Sequence, residues 1–357
     1  MRGLLVGVSL ALSFVATNLC AQPAPAPSGP EKIYAELAGL SPTERTKRLE
    51  DGARREGKLT IIHAMARTEA NNQAEAFRKR YPFVDVELTN LGSQDAVERI
   101  LAEETAGRHL TDVSVAALPD FQDLLKNDLL ARYPTPATKT VLPQYSNFVD
   151  PQNRWVPWFW SEHGLSYNTN LVSPEKAPKD WFDLCDPYFK GSVSFDPAEI
   201  RFLSGLYAML GEQKTESLLK CLGANQPIIQ RGHLQRMELM IAGDHMAQGD
   251  NYLYAGLAIK KKNPAAPYAI VFSAAVLGYG GATIINRNTP HPYTAALFAD
   301  WCIGEENQNW VASLLRGPVA IPHPFLPPEV KIVAFGDAPK DVMDRLLGYW
   351  RTYVEKK

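Results

Sequence analysis

Lys58-Leu59-Thr60-Ile61-Ile62-His63, a helical run from Thr68 to Arg80, Val84-Asp85-Val86-Glu87-Leu88, a second helical run from Gly92 to Ala106, then Asp112-Val113-Ser114-Val115: this stretch decides the fold. Leu59 to Ile62 is a continuous apolar strand of the kind buried on both faces. Ala70, Ala74 and Phe77 share one side of the first helix, and Tyr81-Pro82 stops it. Val84, Val86 and Leu88 alternate with acidic residues, as a half-buried strand requires. Val97, Ile100 and Leu101 turn inward from the second helix, which Gly107 closes. Strands alternating with helices of this length predict a mostly parallel, doubly wound α/β sheet with helices on both faces.

Working outward, Glu31 to Gly57 predicts two helices, with Ser41 as the N-cap of the second and Gly57 as its stop. Gln22 to Pro30 predicts an extended tether. Arg2, the apolar run Leu4–Ala16 and Leu19-Cys20-Ala21 make a cleavable secretory signal, with cleavage expected after Ala21. The run is too short to span a bilayer, and Thr17-Asn18-Leu19 before Cys20 does not suit a lipoprotein signal. A soluble periplasmic monomer is expected. A net charge of −2 argues against nucleic acid and polybasic membrane partners. Cys185, Cys221 and Cys302 remain after cleavage, with no metal-ligand spacing; Cys185 and Cys221 either pair or stay as free thiols.

A second alternating block follows. Asn153 to Tyr167 predicts crossing strands, Ser192–Phe195 a strand, and Leu203–Leu222 one helix. Pro227–Ile229, Leu234–Ala242 and Met246–Gln248 continue as strand, helix, strand, and Tyr268–Phe272 is expected to return across the molecule. Gly278-Tyr279-Gly280-Gly281 is placed before a strand rather than in one. Helices are expected over Thr294–Ile303, Asn307–Leu315 and Asp341–Val354. The expected divisions are a signal peptide (1–21), linker and N-terminal helices (22–56), the first part of lobe 1 (57–150), lobe 2 (151–269), a lobe 1 return (270–315) and a C-terminal helical segment on lobe 2 (316–357).

Glu56 to His63, Phe77-Arg78-Lys79-Arg80-Tyr81-Pro82, Val84-Asp85-Val86, the segment from Leu101 through Gly107 and Arg108 to Asp112, Asp183 to Gly191, and His291 to Trp301 followed by Glu305-Glu306-Asn307-Gln308 together resemble the extracellular solute-binding proteins of ferric-iron type. The resemblance runs from about Tyr34 to Pro322. It implies a type II periplasmic binding protein: two doubly wound lobes joined by crossing strands, with the ligand in a cleft between them. It implies a small-molecule ligand, delivery to the permease of an ABC importer, no cofactor and no catalysis. In iron-binding members adjacent tyrosines hold ferric ion. Here Tyr254 falls on a matching position, Leu253 replaces its neighbour, and Ala66 stands where some members have histidine. Ferric iron held by Tyr252 and Tyr254 with an anion is therefore the alternative to a small anionic solute.

Parallel sheets take ligands beyond the carboxyl ends of their strands, at helix N-termini. The candidate lining in lobe 1 is Ala66, Arg67 and Thr68 after the first strand, Gly92 and Ser93 after the second, and Ala117 after the third. Thr68 and Ser93 are also plausible plain helix caps. Lobe 2 offers Arg231-Gly232-His233, with the Arg231 fork suited to carboxylate or phosphate, then Asp250, Tyr252 and Tyr254. Trp155 to His163 is an aromatic run ending in Glu162-His163; it suits either stacking on a ligand or packing at a hinge. No G-x-S-x-G elbow, P-loop or H-E-x-x-H motif appears. A dispersed Ser-His-Asp set keeps an exported hydrolase as the rival class.

Overall fold

The computed structural model describes residues 27–198, 201–272, 275–335 and 338–355; the expected leader lies outside them. Two helices come first, α1 (Gly29–Ala38) and α2 (Pro42–Glu56). Each opens with a capping box, Ser28 with Glu31 and Ser41 with Glu44. Gly57 ends α2 at φ +65°, where a side chain would be strained. The tether expected up to Pro30 is thus overtaken by a capped helix from Gly29.

The alternating unit follows as β1 (Lys58–His63), α3 (Arg67–Arg80), β2 (Asp85–Asn90), α4 (Ser93–Thr105), β3 (Val113–Ala117) and α5 (Gln122–Lys126). β1 lies between β2 and β3, parallel to both. The long strand β4 (Val156–Asn168) leads into β5 (Val193–Phe195), α6 (Arg201–Leu210), α7 (Glu212–Ala224), β6 (Ile228–Ile229), α8 (His233–Ala242), β7 (Ala247–Tyr252), α9 (Leu253–Lys262) and β8 (Tyr268–Ile270). The return is β9 (Val276–Ile285), followed by α10 (Pro292–Ile303), α11 (Glu305–Ser313), β10 (Gly317–Pro318), β11 (Ile332–Ala334) and α12 (Lys340–Tyr349), with one π-helical stretch over Trp350–Glu355.

The sheet runs β2-β1-β3-β9-β4-β7-β5-β6. Its two ends are parallel, and its middle is the antiparallel pair β4 and β9. The two largest buried apolar clusters among the described residues form on this frame. One gathers Leu59, Ile61, Phe77, Trp158, Trp160 and Phe298; the other gathers Leu165, Trp181, Phe195, Leu206, Leu219 and Trp350. The fold is α/β, with two parallel sheet ends joined through the antiparallel crossing strands. α12 and the π turn pack on α7 within the second core.

Several expectations change. Leu203–Leu222 is two helices, because Gly211 at φ +77° breaks the run. The return strand is β9, and Tyr268–Ile270 is only a short strand against β4. The glycines 278–281 lie inside β9, and packing explains them. A Cβ on Gly281 would stand 1.6 Å from the Phe159 ring, and one on Gly278 would stand 2.1 Å from the Ser161 carbonyl oxygen. Asp250 and Tyr252 belong to β7 itself, and Leu253 starts a helix the sequence reading missed. Cys185 and Cys221 form a disulfide between the turn after Trp181 and α7; Cys302 is a buried free thiol.

Candidate ligand cleft

Each parallel strand ends where a helix or turn begins. Ala66 is the N-cap of α3, Gly92 of α4, Gly232 of α8 and Tyr252 of α9, and none of the four makes a side-chain cap. The alternative reading of Thr68 and Ser93 as helix caps does not hold: Thr68 sits inside the first turn of α3, and Ser93 is the first residue of α4. Four helix starts keep their first-turn N–H groups unspent by side chains, each with about half a positive charge. Ala66, Arg67, Thr68 and Gly92 are exposed, and Ala117 ends β3 at the head of the 3-10 turn Leu118–Phe121. The Asn90 amide donates to the carbonyls of His63 and Met65 at 2.7 and 2.8 Å, which fixes the β1–α3 loop against β2.

Rings and charges meet where the crossing strands pass between the two ends. The His163 ring on β4 lies 4.0 Å from that of Tyr252, 4.8 Å from Phe335 and 5.9 Å from Tyr279 on β9. His233 at the α8 start is 4.6 Å from Tyr252, which is 5.6 Å from Tyr254. The Arg316 guanidinium stacks 4.2 Å over Tyr254 and is 3.1 Å from Glu69 in the first turn of α3. Arg201 at the start of α6 lies 5.0 Å over Tyr279 and 3.6 Å from Asp120. Both arginines link the β1–β3 side to the β5–β7 side. Burial pushes the Tyr254 phenol above its ordinary pKa, with Arg316 pulling the other way. Burial works against the Arg316 charge too, but Tyr254 and Glu69 outweigh it and the pKa is raised.

A buried network braces the second half. Arg236, fully buried, pairs with Asp250 at 2.9 Å and donates to the Asp250 carbonyl at 2.9 Å. The Asp250 carboxylate accepts from the Asp196 N–H, and Asp196 accepts from the Gly232 N–H at 2.8 Å. These bonds set the angle of the α8 start. Burial raises Asp250 to about 6, with Arg236 and His233 holding it back. Ser194, His245 and Asp244 form a row here, Ser194 Oγ to His245 Nε2 at 2.9 Å and His245 Nδ1 to Asp244 at 3.5 Å. Ser194 and His245 are buried, and Ser194 Oγ accepts from Arg236 at 3.3 Å. The Ser194 hydroxyl is thus enclosed, tied to His245 and to Arg236 of α8.

The structure thus brings His233, Tyr252 and Tyr254 together at the starts of α8 and α9. Arg231 stands exposed in the turn before α8 with no ion pair among the described residues; the arginine bound into this region is Arg236. Asp250 is sealed beneath the network. Glu162 faces away into the core, hydrogen-bonded to His323. The sequence reading passed over Arg316, Glu69, Arg201, Asp120 and Tyr279. Tyr279 left a signal: it is the half-buried residue in an otherwise buried strand and stands among glycines. Arg316 left none, since only the pairing of β10 with β4 carries it to the cleft. Among the described residues no group of three or more His, Cys, Asp or Glu side chains is placed to hold a metal ion.

No curated protein matches the chain by sequence. Solved structures do match in fold. Iron-bound HitA of Pseudomonas aeruginosa is 20% identical, with a TM-score of 0.67 over 83% of this chain and 99% of that one. AfuA of Actinobacillus pleuropneumoniae with exogenous fructose-6-phosphate bound is 21% identical, with a TM-score of 0.63 over 84% and 99%. A putative extracellular solute-binding protein of Bordetella parapertussis is 14% identical, with a TM-score of 0.69 over 84% and 99%. At these identities the likeness establishes the fold. The family description "Bacterial extracellular solute-binding protein" matches residues 110–330, more than half of the chain. With the cleft geometry above, it follows that the chain belongs to the bacterial extracellular solute-binding proteins, the ligand-capturing components of ABC-type transporters.

Proposed function

We propose that the chain captures a small anionic solute, a carboxylate or phosphate ester, between its two halves outside the cytoplasmic membrane and passes it unchanged to an importer's permease. One observation carries the reading. Four helix starts without side-chain caps stand at strand ends, and two arginines join the two halves there, Arg316 to Glu69 and Tyr254, and Arg201 to Asp120. An anion there meets unspent N–H groups and fixed positive charge from two sides, and closing the halves over it strengthens both. Ala66 to Thr68, Gly92, Ser93 and Ala117 would line one wall, and Gly232, His233, Tyr252 and Tyr254 the other. The leader-like N-terminus supports export. AfuA, a structural relative solved with a sugar phosphate, supports the ligand class.

Ferric iron is the second reading, favoured by the 5.6 Å spacing of the Tyr252 and Tyr254 rings and by iron-bound HitA among the relatives. It is weaker on the chemistry. Ferric ligation needs tyrosinate, whereas burial makes the Tyr254 phenol harder to deprotonate and Glu69 is engaged by Arg316. Mass spectrometry of the solute released on mild denaturation, beside a visible absorption spectrum, tests both. A phosphate or carboxylate compound in a colourless protein is expected. A tyrosinate–iron band, or a neutral or cationic solute, would refute the anion reading.

A further inference from the structure

Arg316 lies between α11 and β10, 8% exposed, with Glu69 on one side and Tyr254 beneath it. A guanidinium carries five N–H donors. Glu69 takes only Nη2, whose distances to the two carboxylate oxygens are 3.1 and 3.2 Å. The Nε–H is buried and meets no acceptor among the described residues. A buried donor without an acceptor costs free energy, and here it belongs to a charged group at the mouth between two halves. Glu69 itself sits in the first turn of α3, whose N-cap residue Ala66 supplies no side-chain acceptor. Its carboxylate therefore holds the guanidinium near the end of α3 that carries the helix's positive half-charge.

We propose that Arg316 is the anion receptor of the cleft and that Glu69 is an internal stand-in, which a carboxylate or phosphate of the solute displaces. This rests on the anionic-solute reading above. The displacing group accepts from Nε and a terminal nitrogen side by side, as Glu69 does not. Tyr254 keeps the guanidinium plane in position throughout by cation–π contact. A stand-in of this kind keeps the empty site from holding an unpaired buried cation. Its signature is an inverted sign: removing an acidic residue from the site tightens anion binding.

The test is calorimetric titration of the purified full-length mature protein with inorganic phosphate, citrate and fructose 6-phosphate at low salt. Wild type is expected to bind at least one of them. Glu69→Gln is expected to bind that probe about tenfold tighter, the ratio that 1.4 kcal/mol gives. Arg316→Gln should bind it about a hundredfold more weakly, with Arg316→Lys in between. If Arg316→Gln does not fold by circular dichroism, the Glu69→Gln result decides alone. Binding by wild type with unchanged or weaker binding by Glu69→Gln would overturn the stand-in while leaving the anion reading in place. No binding of any probe by wild type would overturn both.

Discussion

Gly281→Ala should cost about 1–5 kcal/mol of unfolding free energy. On β9 Gly281 pairs directly with Phe159 on β4, and the Phe159 ring lies across it. A methyl group there would stand 1.6, 2.0 and 2.4 Å from three ring carbons. Ordinary carbon contacts need about 3.5–4 Å, so the ring must move by some ångströms or the strands must part. Phe159 is 3% exposed, and the Trp158 ring is 4.5 Å away, so nothing lets the ring shift in place. Expelling it forfeits roughly what Phe→Ala costs in a core, about 3–5 kcal/mol; keeping it strains the crossing by about 1–3 kcal/mol or more. Urea unfolding followed by tryptophan fluorescence and circular dichroism reads the loss. Adding Phe159→Ala should recover part of it, with a coupling above about 1 kcal/mol. A loss below 1 kcal/mol, or strict additivity, would mean that the crossing does not have this register.

Further outcomes follow from the same structure. The folded-state value of Asp250, about 6, lies above the unfolded value near 3.9. Its stabilisation is complete below about pH 4 and is lost as pH rises through about 6. The stability of wild type relative to Asp250→Asn should therefore rise as pH falls from 7 to 4; a difference independent of pH in urea titrations would contradict this. Replacing Cys185 and Cys221 by Ser should cost about 3–4 kcal/mol, because the bridge closes a loop of 36 residues; an unchanged denaturation midpoint would show that the bridge is not formed in solution. Arg231→Ala should leave the melting temperature unchanged and shift anion affinity by no more than a few-fold, since exposed charges are screened. A loss as large as that of Arg316→Gln in calorimetry would move the receptor to α8.

The fold was legible where local chemistry and tertiary packing agree. The buried run Leu59–Ile62 and the alternation around Val86 gave the parallel unit, and Ser41 and Gly57 gave the bounds of α2. It was illegible where only distant neighbours explain a residue. Gly278 to Gly281 looks like a loop until Phe159 and Ser161 are set against it, and then it can only be strand. Gly211 looks tolerable in a helix until its positive φ is known. The strand-end loops of the cleft could be located from sequence because the doubly wound sheet places them. The charges could not, because Glu69 reads as an ordinary first-turn acid and Arg316 comes from a segment about 250 residues away. Arg231 was conspicuous beside a glycine, yet Arg236, one turn later, is the side chain that the Asp250 pair draws inside.

The central claim is that the two halves close over an anion and leave it unaltered. Small-angle X-ray scattering of the purified protein, with and without its co-purified solute, tests this most directly when the solute is recovered and identified afterwards. A smaller radius of gyration with the solute, and the same compound recovered intact, is the predicted result. An unchanged profile at saturation, or a chemically converted compound, would contradict it.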